Sequence, residues 1–144
     1  MRTVKSAARS QRGVMLIEAL VGILIFSVGI LALIGMQGVA IKNTTDARYR
    51  SEAAFLASEI IGRMWIDIAD LPKYDKDFAS AFAPRDDWET KVSATLPGVV
   101  LAGATRPTIE HDPATNEVVV LIQWQQPGET AIRRLQMVNR INAQ

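Results

Sequence analysis

The feature that most constrains this chain is a long apolar run near its N-terminus. No charged residue occurs between Ala19 and Ile41, and the apolar character extends back to Val14. About 20 residues at ~1.5 Å per residue cross the ~30 Å hydrocarbon core of a bilayer. A soluble core helix of such length would carry a polar face. The run therefore predicts a membrane-spanning helix over residues 14–41.

Charge is distributed unevenly around this run. Residues 1–13 are basic and contain no acid, although the whole chain has 16 Lys+Arg against 15 Asp+Glu. Positively charged flanks stay in the cytoplasm. We therefore expect a single-pass membrane protein with a basic leader in the cytoplasm and a C-terminal domain, residues 42–144, across the membrane. In a Gram-negative bacterium this is the inner membrane, and the domain is periplasmic. The basic residues of the leader are Arg2, Lys5, Arg9 and Arg12.

The helix is predicted to continue beyond the membrane to Asp70. There is no proline between Ile41 and Asp70, and Pro72 is a natural helix end. Apolar residues recur every three or four positions, which is typical of one buried helix face. We expect residues 42–70 to pack this face against a small domain. The apolar residues are Ala54, Ala57, Ile61, Met64 and Ile68.

The remainder predicts a loop, a short helix and an antiparallel sheet. The loop extends through Arg85, and the helix begins at Asp86 and ends before Pro97, within residues 71–98. Runs of β-branched residues separated by turn residues predict three strands within residues 99–144. The strands are Arg106–His111, Glu117–Gln125 and Ala131–Ile141. The residues expected to pack in the domain include Trp65, Trp88, Val92, Leu96 and Trp124.

A single acid, Glu18, lies inside the apolar run. An acid at the middle of a membrane costs about 2.5–3.5 kcal/mol on insertion scales, and one near the end of the helix costs less. One interpretation is a carboxyl group that reaches the headgroups or is protonated. The other is a carboxylate that needs a cation. Cleavage after Gly13 would give Val14 an α-amino group four residues before Glu18, and such a pair is strong in low dielectric.

Small residues lie on the same side of the helix as this acid. At about 100° per residue, Gly22, Gly29 and Ala32 fall close to Glu18 around the helix axis. Small residues on one face allow a second helix to approach closely, although glycine is also common in membrane helices generally. These residues are candidates for helix–helix packing.

The sequence RGVMLIE at residues 12–18 resembles the class III signal of type IV pilins and type II secretion pseudopilins. The shared pattern is a short basic leader, a glycine before the cleaved bond, an apolar first mature residue and a glutamate at its fifth position. The extension to GMQ at residues 35–37 is most similar to the minor pilins of the PilV group. The resemblance covers residues 10–37. Val14 departs from the phenylalanine that usually begins the mature chain.

This resemblance implies an α+β type IV pilin-like fold, with one long N-terminal helix on a small antiparallel sheet. It implies that prepilin peptidase cuts between Gly13 and Val14 and methylates the new amino group of Val14. It also implies that Glu18 pairs with an N-terminus during assembly. The implied partners are other minor pilins and the major pilin, contacted through their N-terminal helices. The implied function is a minor pilin of the tip or priming complex that supports pilus biogenesis, adhesion and twitching motility.

Two further comparisons with the family favour a minor subunit. Major pilins often have a proline in the membrane half of the helix, whereas here the first proline is Pro72. Major pilins also commonly close a C-terminal loop with a disulfide, and this chain has no cysteine.

Two other functions remain open. A minor pseudopilin of the GspI type in a type II secretion system shares every feature of the membrane half. A conventionally anchored periplasmic protein would instead be cut after the small-x-small sequence Gly38-Val39-Ala40. That reading leaves Glu18 unexplained.

We expect no enzymatic activity, cofactor, metal or nucleic-acid partner. The chain has one histidine, His111, whose polar neighbours are typical of a turn rather than a cation loop; these are Asp112, Asn116 and Glu117. An acidic loop is expected to be solvated; its residues are Asp75, Asp77, Asp86 and Asp87. Basic residues of the C-terminal domain are interpreted as ordinary surface rather than a DNA site; they are Arg106, Arg133, Arg134 and Arg140.

Overall fold

The computed structural model describes residues 11–142 and has the α+β fold class predicted. A long N-terminal helix, α1 (Gln11–Ile66), is followed by a 3-10 helix (Ile68–Tyr74), a short helix and three strands. A long helix with a small antiparallel sheet is consistent with a pilin-like fold. The chain divides into two compact units, residues 1–44 and 45–144. Most of the predicted leader, residues 1–10, lies outside the described residues.

In the first unit, the side chains described from residue 13 to residue 44 are all exposed. The exposed fraction reaches 68% at Leu20 and 69% at Phe26. Among the described residues, this is the one helix long and apolar enough to cross a membrane. The hydroxyl of Ser27 donates to the carbonyl oxygen of Ile23 at 2.7 Å, so it brings no unsatisfied donor into the apolar run.

Helix α1 ends four residues earlier than predicted. Regular α-helix stops at Ile66, and Asp67 leaves helical geometry with φ −100° and ψ 38°. Pro72 cannot donate a backbone hydrogen bond, and its ring crowds the carbonyl group four residues earlier. The chain therefore continues as a 3-10 helix, which the hydroxyl of Tyr74 ties back to the Asp67 carboxylate at 2.7 Å. Burial and this hydrogen bond raise the pKa of Tyr74.

The short helix, α2 (Ala83–Thr95), begins three residues before the predicted start at Asp86. Pro84 is tolerated there because the first helical N–H groups have no partner within the helix. The predicted cap acts from inside the helix, since the Asp86 carboxylate accepts a hydrogen bond from the N–H of Phe82 at 3.0 Å. Asp86 therefore correctly indicates a helix start, although it lies in the first turn and not at the cap position.

The sheet is antiparallel with the order β1-β2-β3. Its strands are β1 (Thr108–Asp112), β2 (Glu117–Gln125) and β3 (Ile132–Arg140). The bounds of β2 match the prediction, whereas β1 starts two residues late and β3 is one residue shorter at each end. Arg106 is outside β1 because its N–H bonds to the Gly103 carbonyl oxygen in a turn.

The second unit has one apolar core between α1, α2 and the sheet. The predicted helix face is confirmed at its centre, where Ala57, Ile61 and Met64 are buried, while Ala54 and Ile68 are only partly buried. Additional helix residues missed by the spacing argument are Ala53, Leu56 and Ile60. The prediction for Trp65 was wrong, because 41% of it is exposed. Residues packed opposite α1 are Trp88, Val92, Leu96, Val118, Val120, Ile122 and Trp124.

Candidate functional site

The predicted cleavage site lies on an exposed part of α1. Gly13 and Val14 are both helical, and 65% of the Val14 side chain is exposed. A Cβ atom added at Gly13 would meet no atom outside the local helix within 4 Å. Nothing in the described part of the chain therefore covers the bond between these residues, and a larger side chain at position 13 fits without a clash in the folded protein.

Glu18 lies four residues after Val14 and is exposed among apolar side chains. Residues four apart face the same side of a helix. In the range that the structure describes, no hydrogen bond or ion pair involves the Glu18 carboxylate. An α-amino group at Val14 would supply the missing positive charge from one turn away. A chain that begins at Val14 would also place this carboxylate near the positive end of the helix dipole, which favours anions.

The small-residue face is open along the first unit. Gly22 and Gly29 have room for a Cβ atom with nothing else within 4 Å, and Ala32 is exposed. With Glu18 these residues span about 80° around the helix at 100° per residue. A shallow groove then continues this surface; it is lined by Ala32, Gly35, Met36, Val39, Ala40 and Asn43. The sequence prediction missed this continuation, although the small residues at positions 35 and 40 indicate it.

Two of the four arginines of the predicted basic surface are engaged in ion pairs within the second unit. Arg106 makes a two-pronged pair with the mostly buried carboxylate of Glu89, with N–O distances of 3.0 and 3.2 Å. Its pKa is raised chiefly by this hydrogen bond. Arg133 pairs with Glu129 at 3.1 Å. Arg134 is exposed and makes no ion pair with any described residue. Arg140 is also exposed and makes no ion pair with any described residue.

Asp46 joins α1 to the turn between β2 and β3. Its carboxylate accepts hydrogen bonds from Arg50 and from the side-chain amide of Gln126, both at 2.9 Å. Arg133 lies 3.7 Å away and adds a second positive charge. The hydrogen bond from Arg50 is the main reason why the pKa of Asp46 is below its ordinary value, and Arg133 acts in the same direction. These contacts tie the start of the second unit to the turn between β2 and β3.

The acidic loop is less solvated than predicted. The Asp75 carboxylate accepts the N–H of His111 at 2.7 Å, and it also accepts the N–H of Asp77 at 2.8 Å. Arg85, whose side chain is only 7% exposed, pairs with Asp86 at 3.0 Å. The sequence does not indicate the partners of Asp75, because both are backbone N–H groups and one of them is 36 residues away.

The turn that follows His111 and the end of β1 has the predicted character. The Asp112 carboxylate accepts the N–H of Ala114 at 2.9 Å and the hydroxyl of Thr115 at 2.8 Å. The first of these hydrogen bonds is the largest cause of the lowered pKa of Asp112. Within residues 11–142, no three His, Cys, Asp or Glu side chains are grouped as a metal site requires.

The predicted packing residues and Glu18 therefore form one surface on the first half of α1, which lies outside the folded core. Comparisons of this sequence with protein-family models, with curated proteins and with solved structures gave no match. The chemistry of the described surfaces is consequently the basis for assigning a function. That chemistry comprises an apolar helix without a covering, one unpaired carboxylate near its start and a small folded domain after it.

Proposed function

We propose that this chain is a minor pilin of a type IV pilus. In this proposal prepilin peptidase removes residues 1–13 and methylates the new amino group of Val14. The mature chain stays in the inner membrane until its N-terminal helix is transferred into the growing pilus. There it joins other minor pilins and the major pilin in the tip or priming complex, and supports adhesion and twitching motility.

The observation that carries the proposal is the carboxylate of Glu18, which makes no hydrogen bond or ion pair with any described residue. A simple membrane anchor gains nothing from an acid in its apolar segment, which only reduces the favourable free energy of insertion. An assembling subunit gains a specific contact, because the carboxylate can pair with the charged N-terminus of a neighbouring helix. The basic leader, Gly13 and the apolar run supply the other elements of the signal that this pairing requires.

The open face of small residues supports the same proposal. Side chains along residues 13–44 are exposed in the described part of the chain, and glycine at positions 22 and 29 leaves the helix backbone accessible. Lipid covers such a surface before assembly, and close helix packing replaces lipid after it. The exposed apolar side chains then remain out of water in both states.

The test is recovery of the chain in pili sheared from cells. The wild-type chain is expected in the sheared fraction in its mature form. Glu18→Ala and the more apolar Glu18→Leu are expected to insert and be cleaved normally, but to be depleted from the sheared fraction. Leu20→Ala, an exposed apolar position of the same helix, is the matched control and is expected in pili at the wild-type level.

Two results would count against the proposal. Equal recovery of Glu18→Leu and wild type in sheared pili would remove the role of the carboxylate in assembly. A mature chain that never enters pili, but whose loss blocks export of folded proteins to the medium, would instead assign it to a type II secretion system.

A further inference from the structure

The two outer edges of the sheet differ in how they are covered. A loop after the 3-10 helix runs along the outer edge of β1, the edge that does not pair with β2. There the N–H of Lys76 donates to the carbonyl oxygen of Ile109 at 2.8 Å, and the N–H of His111 donates to the Asp75 carboxylate at 2.7 Å. The side chain of Lys76 adds an ion pair with Glu110 at 2.6 Å. The β1 edge is therefore already occupied.

The outer edge of β3 has no such covering. Its pairing with β2 runs without a bulge from Arg140 opposite Glu117 to Ile132 opposite Gln125. No backbone hydrogen bond reaches β3 from any described residue outside β2. In an antiparallel pair, about half of the N–H and C=O groups of an edge strand point away from its partner. Proteins usually protect such an edge with charged side chains, a proline, a bulge or a covering segment. Among the described residues, β3 has no proline, bulge or covering segment, and its charged side chains are all positive.

The side chains on the solvent face of β3 form an alternating pattern. Ile132 and Val138 are 47% and 53% exposed, and the two arginines on this face are exposed without an ion pair in the described part of the chain. Arg134 lies opposite Gln123, and Arg140 lies opposite Glu117 without forming an ion pair with it. Along the edge the face therefore presents apolar, cationic, polar, apolar and cationic side chains in turn.

We propose that the free edge of β3 binds an extended acidic segment of another polypeptide, which adds to the sheet as a fourth strand. Main-chain hydrogen bonds supply the affinity of such strand addition, and alternate side chains supply its specificity. Carboxylates of the segment lie beside Arg134 and Arg140, and an apolar side chain lies beside Val138. Because side chains on one face repeat every two residues, the two carboxylates are six residues apart in the bound segment.

Charge distinguishes this partner from a second copy of the chain. Strand β3 contains Arg133, Arg134 and Arg140 and no acid. Pairing two copies edge to edge would bring like charges together, and such cross-strand neighbours are unfavourable. An acidic strand converts the same arginines into favourable cross-strand pairs. The proposal concerns only the second unit and does not depend on cleavage, pilus assembly or the role of Glu18.

The test measures binding of short peptides to the full chain in detergent micelles. The probe is a fluorescently labelled peptide Glu-Thr-Val-Thr-Gln-Thr-Glu-Thr-Val, which has the required spacing. One comparison peptide has lysine in place of both glutamates, and another has proline in place of two threonines. Hydrogen exchange of the β3 amides is measured with and without each peptide.

The acidic peptide is expected to bind about tenfold more tightly than either comparison peptide and to slow exchange of the β3 amides. In the variant R134E/R140E the order of the acidic and lysine peptides is expected to reverse. The control R48E/K73E makes the same change in net charge at positions away from β3, and it should keep the wild-type order. In the wild type, Arg48 pairs with Glu52 and Lys73 pairs with Asp70.

Four results would overturn the proposal. Equal binding of the acidic peptide and its proline version would show attraction by charge alone, without strand addition. Unchanged exchange of the β3 amides would show that the acidic peptide binds at another surface. No binding of the acidic peptide would show that the chain has no site for it. Tighter binding of a short DNA duplex that is lost in R134E/R140E would assign the arginines to nucleic acid.

Discussion

The indole N–H of Trp88 donates a hydrogen bond of 2.9 Å to the main-chain carbonyl oxygen of Leu56. Both side chains are buried, so this bond joins α2 to α1 in the interior of the domain. This carbonyl oxygen belongs to helix α1, and the indole N–H is a second donor to it. The sequence pattern does not show which helix carbonyl group would accept the indole. The contact fixes where along α1 the short helix packs.

Replacement of Trp88 should therefore destabilise the domain in two distinguishable steps. Trp88→Phe removes the donor and is expected to cost about 1 kcal/mol for the hydrogen bond, in addition to some lost packing. Trp88→Ala also leaves a cavity and should cost about 3–5 kcal/mol. The measurement is urea unfolding of the full chain in detergent, followed by pulse proteolysis. Trp65→Ala, at the partly exposed tryptophan of α1, is the control and should cost clearly less; equal losses at the two positions would contradict this packing.

A close approach at Gly98 gives a second prediction. Gly98 has φ +69°, and a Cβ atom there would lie 2.8 Å from the Cβ atom and 2.9 Å from the carbonyl oxygen of Gln125. Gly98→Ala is therefore expected to lower the free energy of unfolding by about 1–2 kcal/mol for backbone strain and by about 1–3 kcal/mol more for the clash. Gly128 has φ +80° with open space around it, so Gly128→Ala should show only the strain. Similar unfolding midpoints for the two variants would disprove the close approach.

The lowered pKa of Asp46 predicts a dependence of stability on pH. A carboxylate whose pKa is lower in the folded state stabilises the fold above its unfolded pKa, and that stabilisation is lost as the pH falls through the folded value. The wild type should therefore lose stability below about pH 4 more steeply than Asp46→Asn. The measurement is the urea midpoint at pH 7 and pH 3.

Asp87→Asn is the matched control for this titration, since it removes an exposed carboxylate that makes no hydrogen bond to a described residue. Its acid dependence should follow that of the wild type. Identical acid dependence of Asp46→Asn and wild type would mean that Asp46 does not contribute through its charge.

Burial on α1 predicts which positions of the helix hold the domain. Ile61 is 5% exposed and Phe55 is 65% exposed, although both belong to the same helix. Ile61→Asp places an unpaired charge in the core and is expected to abolish the protease resistance of the domain. Phe55→Asp is expected to retain that resistance. Resistance in the Ile61→Asp variant would refute the assignment of the buried face.

Sequence patterns predicted the parts of the fold that depend on neighbouring residues. The uncharged run predicted the apolar half of α1, and the run of β-branched residues predicted the bounds of β2. Both predictions succeeded because each segment has the same kind of surroundings along its whole length. The errors fall where a distant contact decides the outcome. Trp65 was placed in the core by its size alone, and Asp75 was assigned to solvent although the N–H of His111, 36 residues later, binds it.

The candidate site shows the same division. The spacing of Glu18, Gly22, Gly29 and Ala32 defines a helix face from local geometry, and the structure places them on one open surface. The strand edge could not be predicted in this way, because only the loop at Lys76 shows that β1 is covered and β3 is free. The local sequence pattern thus identifies a helix face, whereas tertiary contacts show which strand edge remains uncovered.

The central claim is that the functional chain begins at Val14 and pairs its new amino group with Glu18. Mass spectrometry of the N-terminal peptide from purified membranes tests it most directly. Gly13→Leu is the comparison variant. Under the proposed function the peptidase requires a small residue before the cut, so this variant should accumulate uncleaved, although a Cβ atom at position 13 meets no described atom within 4 Å. The account predicts a wild-type chain that starts at Val14 with an N-methylated amino group. A chain that starts at Met1 or at Ile41, or normal processing of Gly13→Leu, would contradict it.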